Sequence, residues 1–535
     1  LVVTGVTEAT TRAMVPFTVG RVSQEAIPAP PANAVSALQG RVAGVSITGA
    51  GGPGAGLDIM LRTPTSINRD NIPLIVVDDV ILSESSVDLS TLDIASIEVV
   101  KGAAAASLYG SRAASGVINI RTVRGSSLPT DRTRFRLRSE YGWSEIANPI
   151  EWAQHHNLLM NENGEFLDGS GNVVPRGLAA TTRYGFQDQR YPGKTYDHIG
   201  SLFNPGNYST HSLMIGHNGG NTNWIAVVSR REEAGVVREN RGYQRNDVRL
   251  NLDHRLRDDL QISISTFHMR SERDLLPGNT FFDFIHQAPD VDLLQPDPDG
   301  TPYIFQPDEQ GIRANPLYQI ATFDNISRRL RTMASATMRY HPRPWMSVDL
   351  NASYDRSDRE NRSFRAKGVK TPEHPNGGPG TASRSSGTTD GFNASAGFTV
   401  NHNIGRLQTR TSVRGLLERE DFTSFSANGQ DLAVGGISEL PAAKVSTISS
   451  SSSSIRSTGY FFNTDLTFDD RYILNALVRR DGSSLFGPRE RWHMYYRASA
   501  AYRMAREPWW PIEQISEFKL RYSRGTAGGR PNFAD

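Results

Sequence analysis

The chain of 535 residues contains no cysteine. This absence excludes disulfides, thiolate catalysis and zinc sites built on cysteine. Long hydrophobic runs are also absent, and no stretch approaches the roughly 20 consecutive apolar residues that a membrane-spanning helix needs. The protein is therefore not a helical membrane protein. A transmembrane β-barrel is not excluded, because its strands only alternate apolar and polar residues.

Neither sign of charge is in excess, since 58 Lys and Arg residues accompany 56 Asp and Glu residues. No basic field indicates nucleic acid as a partner. The sequence also lacks a readable set of nucleophile, base and orienting group, so we expect no enzymatic activity. Leu1 is not an initiator methionine, and we expect that the natural N-terminus with any targeting segment has been removed.

The first 125 residues predict a compact α+β module of short strands, glycine-containing turns and one alanine-rich helix. The predicted strands are Val45–Ile47, Leu57–Arg62, Pro73–Val80, Ile94–Lys101 and Val117–Thr122, and the predicted helix is Ala103–Tyr109.

A glycine loop at Gly49–Gly56 matches the pattern G-x-G-x-x-G and raises the question of a nucleotide site. Such a site needs a helix that begins at the last glycine and holds the phosphates at its N-terminus. Here Pro53 interrupts the motif, and the residues that follow it alternate as a strand does. We therefore interpret the loop as a hairpin connection.

The segments of this module resemble the plug domain of SusC/RagA-type TonB-dependent receptors. The resemblance is carried, in matching order and spacing, by Ala37–Val45, the glycine loop with the strand ending at Arg62, Ser66–Asn68, Pro73–Val80, Ile97–Ala105 and Tyr109–Ile118. Two positions depart from the family, which has glycine where Thr63 and Asp79 stand. These departures make the local turn geometry uncertain and leave the fold expectation unchanged.

From about residue 128 onward, strands with a period of two recur. In Asp247–Asp253, for example, Val248, Leu250 and Leu252 alternate with charged or amide residues. The connections alternate as well, with short turns between long polar segments. The short turns are predicted near Gly219–Asn221, His254–Asp259, His341–Pro344, His402–Gly405 and Asp469–Asp470; the long segments are Trp143–Thr210, Arg231–Asn246, Ser271–Ile326, Ser357–Asp390 and Glu418–Ser457. Short turns at one end and long loops at the other are typical of an outer-membrane barrel.

The resemblance to SusC-type receptors returns in the barrel at Arg471–Gly487 and at Phe518–Ser523. We count about thirteen strands, the last ending near Arg524, whereas large plugged transporters use about 22. An incomplete set leaves unpaired edges that lipid does not tolerate. The expectation is therefore a mainly β chain that carries an α+β plug and part of a large antiparallel barrel. Its domains would be a leader at 1–10, the plug at 11–126 and the barrel portion at 127–535.

The resemblance implies a function and a set of partners. A receptor of this type imports a bulky nutrient, an oligosaccharide or peptide, across the outer membrane of a Gram-negative bacterium. Its partners would be TonB with its inner-membrane complex, a SusD-like surface lipoprotein and the outer-membrane lipid, and no cofactor is implied. The alternative is a structural or adhesive surface protein that retains the architecture without transport.

The resemblance also implies site residues. Leu1-Val2-Val3-Thr4-Gly5 is similar to the Ton-box region, although a first plug strand or a disordered leader is an equal alternative. Arg62 and Arg112 occupy positions that look like plug arginines facing barrel acids, and Glu98 could serve on the same face. Local pairing inside the plug is the alternative for all three.

Other polar groups carry weaker hypotheses. The adjacent residues His155 and His156 lie in a long polar loop, and adjacent side chains alternate in direction, so without further ligands they predict no metal site. Asp78–Asp79 and the acidic stretch Asp290–Asp299 could bind Ca²⁺, but a solvated loop is the better interpretation. Ser449–Ser454 is interpreted as a flexible loop tract. Aromatic residues near strand ends suit interfacial girdles; they are Trp224, Tyr340, Trp345, Tyr354, Tyr472, Tyr495 and Tyr496.

Overall fold

The computed structural model describes residues 14–23, 26, 35–49, 52–64, 71–84, 94–102, 105, 109–148, 151–183, 185–186, 189–308, 313–487, 489–512, 514–526 and 528–529. The described chain forms a small N-terminal module, here called the inner module (residues 14–127), and one large antiparallel sheet, here called the wall. No described helix is both long and apolar enough to cross a membrane.

The inner module is built on a five-stranded mixed sheet and a separate hairpin. Its strands are β1 (Val19–Ser23), β2 (Val45–Gly49), β3 (Leu57–Leu61), β4 (Leu74–Val77), β5 (Val80–Ile81), β6 (Ile94–Val100) and β7 (Val117–Thr122). The sheet order is β1-β6-β7-β4-β5, in which β4 runs parallel to β7, and β2 pairs with β3. Single turns of 3₁₀ helix lie at Val35–Leu38, Gly110–Ala113 and Gly125–Ser127.

The apolar runs of the central strands explain the core of the inner module. β4 is buried at all four positions, and Ile94, Ile97, Ile118 and Ile120 are fully buried. Continuous apolar runs of this kind form strands that are covered on both faces. Of the predicted helix Ala103–Tyr109, only Ala105 and Tyr109 are described, and both are helical.

The wall has thirteen strands, and each hydrogen-bonds to its neighbours in the sequence, as the count from periodicity predicted. They are β8 (Arg132–Ser144), β11 (Gly206–Asn218), β12 (Thr222–Glu233), β13 (Tyr243–Arg257), β14 (Leu260–Asp274), β15 (Phe323–Arg343), β16 (Met346–Arg365), β17 (Thr381–Ile404), β18 (Leu407–Leu432), β19 (Ala443–Phe468), β20 (Tyr472–Ser483), β21 (Trp492–Arg503) and β22 (Lys519–Gly525). The pair β9 (His155–His156) and β10 (Gln189–Arg190) lies apart from it.

The wall is polar where it is covered and apolar where it is exposed. On β13, Val248 and Leu250 are 49% and 42% exposed, whereas Arg249 and Asn251 are 4% and 1% exposed. A water-soluble sheet shows the opposite pattern, so the outer face suits lipid and the inner face a hydrated interior. The predicted aromatic girdle is corrected at one position, because Tyr495 is buried on the inner face while its neighbour Tyr496 lies outside.

Long and short connections alternate as predicted, but the long ones are shorter than expected. The strands β16 to β19 continue into the predicted loops Ser357–Asp390 and Glu418–Ser457, leaving only residues 366–380 and 433–442 as connections. In these extensions both faces contain polar residues, so no apolar alternation marks them. Backbone pairing needs no such alternation, and the hairpins therefore extend well beyond the ~10 residues that cross a membrane.

The interpretation of Ser449–Ser454 as a flexible loop is wrong. The tract lies inside β19 and pairs with Asp421–Ser426 of β18. Its hydroxyl groups form cross-strand hydrogen bonds, between Ser424 and Ser451 at 2.8 Å and between Ser426 and Ser449 at 2.7 Å. The β18–β19 hairpin is thus regular structure along its whole length.

The two longest connections, residues 145–205 and 275–322, fold together into a loop cluster with its own apolar core. Short α-helices at His198–Leu202, Thr280–Ile285 and Pro316–Thr322 and a 3₁₀ turn at Arg176–Leu178 belong to it, and single 3₁₀ turns elsewhere lie at Leu440–Ala442 and Met504–Arg506. Leu202, Phe284, Leu293 and Leu317 form the centre of this core. The described parts of these long segments are therefore ordered, although their composition is polar.

Candidate functional site: the contact between inner module and wall

Arg112 connects the inner module to the wall. It lies in the 3₁₀ turn Gly110–Ala113, and its guanidinium is 3.8 Å from Glu418 and 3.3 Å from Glu420, both on β18. It also donates a hydrogen bond of 3.2 Å to the carbonyl of Leu82. The guanidinium therefore holds one backbone segment of the module and two carboxylates of the wall. Glu418 and Glu420 point inward from the same strand, so the arginine also separates like charges.

A second contact is centred on Glu84, which follows β5. Its carboxylate pairs with Arg329 on β15 and lies 3.6 Å from Arg359 on β16. The adjacent amide of Ser83 donates a hydrogen bond of 2.9 Å to Asp355. Asp355 is itself held by Arg331 through two hydrogen bonds of 2.9 and 2.8 Å, and both groups are almost fully buried.

A third contact lies where the chain leaves the inner module for the wall. Arg124 donates to Asp253 at 2.7 Å and to Ser265 at 2.6 Å. Asn251 donates from its amide to the hydroxyl of Thr122 at 2.8 Å and to the carbonyl of Val123 at 2.9 Å. These four hydrogen bonds fix the last strand of the module to β13 and β14.

The β4–β5 turn provides the fourth contact. Asp78 and Asp79 both have positive φ, 45° and 69°, as a tight hairpin turn requires. The carbonyl of Asp78 accepts a hydrogen bond of 2.7 Å from Ser335 of the wall. Asp79 accepts two hydrogen bonds, of 2.8 and 2.6 Å, from Arg121. Burial alone would raise the pKa of Asp79, but the charge and hydrogen bonds of Arg121 outweigh it and lower the pKa to about 2.

The start of the described chain is held at the end of the wall that has the short turns. The ring of Phe17 lies 4.5 Å below the guanidinium of Arg497, and its carbonyl accepts a hydrogen bond of 3.4 Å from Arg521. Lys519 donates to the carbonyl of Val15 at 3.2 Å. Residues 14–17 thus lie beside β21 and β22, close to the turn end.

The predicted site residues differ in where they lie. Arg112 faces wall carboxylates, as described above. Glu98 is buried in β6 and lies 4.0 Å from Arg21 of β1, which is a neighbour inside the module. Arg62 is exposed after β3 with a φ of 67°, and no carboxylate of the described chain forms an ion pair with it. Leu1-Val2-Val3-Thr4-Gly5 lies outside the described residues.

Sequence reasoning missed most of the contact residues. Glu84, Arg124, Asp253, Arg329 and Asp355 were not singled out. Three of them occupy inward positions of wall strands, where an uninterrupted period of two would have placed them. Charged residues at inward strand positions could therefore have been recognised in the sequence. The sequence does not show which residue of the inner module each of them contacts.

The glycine loop is a hairpin connection, as interpreted. Its described part, residues 52–56, leads into β3 and not into a helix. Any side chain at Gly54, where φ is 64°, would overlap the ring of Tyr243 on the wall. The loop thus packs closely against β13, which explains why glycine is needed there.

The acidic stretch Asp290–Asp299 is neutralised by basic side chains. Lys370 lies 2.6 Å from Asp297 and 3.0 Å from Asp299, and Arg176 pairs with Asp290. Burial alone would raise the pKa of Asp299, but hydrogen bonds from Thr301 and Lys370 lower it to about 2. Among the described residues, no group of three or more His, Asp or Glu side chains is arranged to hold a metal ion.

Comparison with known proteins shows what the chain is similar to. The family described as TonB-dependent Receptor Plug Domain matches residues 11–117. The chain is 38% identical over 104 residues to the TonB-dependent receptor SusC of Bacteroides thetaiotaomicron, a match that covers 18% of this chain and 10% of SusC. The chain is therefore similar to the SusC/RagA-type TonB-dependent receptors. The inner module is accordingly the plug, and the wall is part of the barrel.

Longer matches agree with this assignment. TonB-dependent receptor P26 of Formosa agariphila is 23% identical over 528 residues, which cover 96% of this chain and 51% of that protein. The structure of the RagAB peptide importer in the "open-open" state has a TM-score of 0.80 at 18% identity and matches 99% of this chain and 62% of that chain. The chain thus spans about half the length of its curated relatives.

Proposed function

We propose that this receptor imports a bulky nutrient across the outer membrane of a Gram-negative bacterium, with the plug controlling passage through the barrel. One observation carries the proposal. The plug fills the polar side of a wall whose other side is apolar, and it is attached there by ion pairs such as Arg112 with Glu418 and Glu420. Ion pairs in a hydrated interior hold the plug in place and can be exchanged for water without breaking a covalent bond.

The energy for plug movement would come from TonB. The first described residues, Val15 and Phe17, are held at the short-turn end of the barrel by Lys519 and Arg521. Short turns face the periplasm in outer-membrane barrels. The leader with Leu1–Gly5 would then start from the side where TonB can add a strand to it. The leader is proposed as the Ton box, and Arg112 is proposed as a contact between plug and barrel, whereas Glu98 pairs with Arg21 inside the plug.

The substrate is proposed to be an oligosaccharide or a peptide. This proposal rests on the relatives, one of which is named a peptide importer, and on the ordered loop cluster at the long-loop end. A SusD-like surface lipoprotein is proposed as the partner that covers this end.

A cross-link between plug and barrel tests the proposal. A Cβ placed at Gly391 lies 3.4 Å from the Cβ of Ser83, which is close to disulfide geometry, and the chain has no other cysteine. We expect the full-length Ser83→Cys/Gly391→Cys variant to lose uptake of labelled peptides or oligosaccharides when oxidised and to regain it on reduction. The matched control is Ser424→Cys/Ser451→Cys, which joins two barrel strands and leaves the plug free.

The outcomes separate the two functional classes. Reversible loss of uptake in the plug cross-link, with uptake retained in the control, supports transport gated by the plug. If cells that lack TonB take up the labelled substrate at the same rate as cells that have it, TonB-dependent import is wrong. A chain that supports no uptake under any condition but still reaches the cell surface fits the alternative of a structural or adhesive protein.

A further inference from the structure

The connection between β21 and β22, residues 504–518, is unusual for the end of the barrel on which it lies. Tyr472 of β20 pairs with Tyr502 of β21, so β21 ends at the short-turn end. The other connections at this end are residues 219–221, 258–259, 344–345, 405–406 and 469–471. The other connections have two or three residues, so the greater length of the β21–β22 connection requires a separate explanation.

This connection begins on the outer face of the barrel. The carboxylate of Glu507 accepts hydrogen bonds from the hydroxyl of Tyr472 at 2.8 Å and from that of Tyr502 at 3.1 Å. The two rings stack 4.9 Å apart. Tyr472 belongs to the outward series of β20 and is 43% exposed. The chain after Glu507 consequently starts beside the outward aromatic residues.

The connection also returns on the outer face. Trp510 stacks on Phe518 with ring centres 5.3 Å apart. Leu520, two residues further on, pairs with the outward Tyr502 and is 53% exposed. Between these points the connection exposes apolar side chains, with Trp509 at 58% and Ile512, Ile515 and Phe518 near 40%. This apolar surface is therefore continuous with the outer face of the barrel.

We propose that the described residues of this connection, 504–512 and 514–518, form an interfacial anchor that inserts into the phospholipid headgroup region of the periplasmic leaflet; the inference rests on the proposed location in the outer membrane. Tryptophan flanked by apolar residues is the side chain most suited to this depth. Of the three glutamates of the segment, Glu507 pairs with Arg471 and Glu517 with Arg503, whereas Glu513 lies outside the described residues. The anchor would fix the height and tilt of β21 and β22 in the bilayer.

Spin labels on single cysteines test the anchor; these 535 residues contain no cysteine, and any cysteine elsewhere in the full-length protein is replaced by serine. Full-length protein carrying Ile512→Cys or Ile515→Cys is labelled and reconstituted into vesicles of phosphatidylethanolamine and phosphatidylglycerol. Collisions with oxygen, which concentrates in lipid, are compared with collisions with a water-soluble nickel chelate. Val478→Cys on the outer face of β20 gives the lipid reference, and Ser451→Cys on the β18–β19 hairpin gives the aqueous one.

We expect nickel accessibility at Ile512 and Ile515 to be several-fold below that at Ser451 and above that at Val478. Trp509→Ala should raise the nickel accessibility of the label at position 512. Trp345→Ala, which removes an exposed tryptophan from another turn, should leave that accessibility unchanged. The anchor is wrong if the Ile512 and Ile515 labels are as aqueous as the Ser451 label while the Val478 label lies in lipid. It is also wrong if they are shielded from both reagents, which would indicate a covering protein. An aqueous Val478 label would overturn the membrane location itself.

Discussion

At the scale of single residues, Arg112 is the side chain whose removal should most weaken the attachment of the plug to the barrel. Its loss would leave Glu418 and Glu420 close together, 9% and 21% exposed and without this cation. We expect Arg112→Ala to lower the free energy of opening of the Gly110–Ala113 segment by roughly 1–3 kcal/mol, as measured by native-state hydrogen exchange. Neutralising the glutamates in Arg112→Ala/Glu418→Gln/Glu420→Gln should recover part of this loss.

The matched control is Arg328→Ala. Arg328 also pairs with a glutamate, Glu272 at 2.8 Å, but both side chains are more than 40% exposed. Its removal should cost less than about 1 kcal/mol. If the two substitutions lower the free energy of opening by the same amount, the contact of Arg112 with Glu418 and Glu420 does not stabilise the plug inside the barrel.

Asp79 combines a backbone role with an electrostatic one. Asparagine tolerates the positive φ of 69° but carries no charge, so Asp79→Asn isolates the pair with Arg121. Because Asp79 is 31% exposed and solvent screens the pair, we expect a loss of roughly 1–2 kcal/mol at pH 7. The folded-state pKa of about 2 lies below the ordinary 3.8, so the difference should be constant above pH 4 and shrink as the pH falls towards 2.

Thermal unfolding of the two proteins between pH 2 and pH 8 measures this difference. Asp79→Gly and Asp79→Ala provide the conformational control, since both lack the carboxylate and only glycine is free of strain at this φ. Glycine should be more stable than alanine by about 1 kcal/mol. A difference between Asp79 and Asn that does not depend on pH would contradict the electrostatic role.

At the scale of elements, the β18–β19 hairpin gives the sharpest test of regular structure. Its serine tract pairs only with β18, because pairing with β20 begins at Ser457. Amide groups of successive residues in such an edge strand point alternately to the partner and to solvent. Of Ser451→Pro and Ser452→Pro, one variant should therefore lose a ladder hydrogen bond, about 1–3 kcal/mol of local opening free energy, and the other should be tolerated.

Hydrogen exchange of the hairpin peptides reads out both variants. A flexible loop would accept proline at either position with the same small effect. That result would contradict the pairing of the serine tract with β18. The interpretation of Ser449–Ser454 as a flexible loop would then be correct.

The strands that the sequence predicted well are those with different environments on their two faces. Asp247–Asp253 alternates strictly because one face meets the plug side and the other the outside. The hairpin extensions have water on both sides, so Ser449–Ser454 carries no alternation and was misread. Tyr495 and Tyr496 show a further limit: adjacent aromatic residues alternate in direction, and composition alone does not say which one faces outward.

Of the contact between plug and barrel, the sequence predicted only a residue of the plug. Arg112 was predicted from its motif, whereas Glu418 and Glu420 lay in a segment interpreted as a loop. Their meeting with Arg112 depends on strand register and on the curvature of the wall across some three hundred residues of sequence. Local patterns specify elements, and such long-range pairs follow only from the assembled sheet.

At the scale of the whole molecule, the last prediction follows from the apolar side chains on the outer face of the wall and the polar side chains on its inner face. Leu250 is 42% exposed on the outer face of β13, some way from either strand end. If lipid surrounds this face, Leu250→Arg places a charge in hydrocarbon and should cost roughly 2–4 kcal/mol of unfolding free energy in vesicles. Ser451→Arg, on the part of the hairpin beyond the membrane, should cost almost nothing, because water solvates the new charge. Urea titration of both full-length variants in vesicles measures the two costs. Equal costs would mean that the outer face does not contact lipid, and the import proposal would then lose its physical basis.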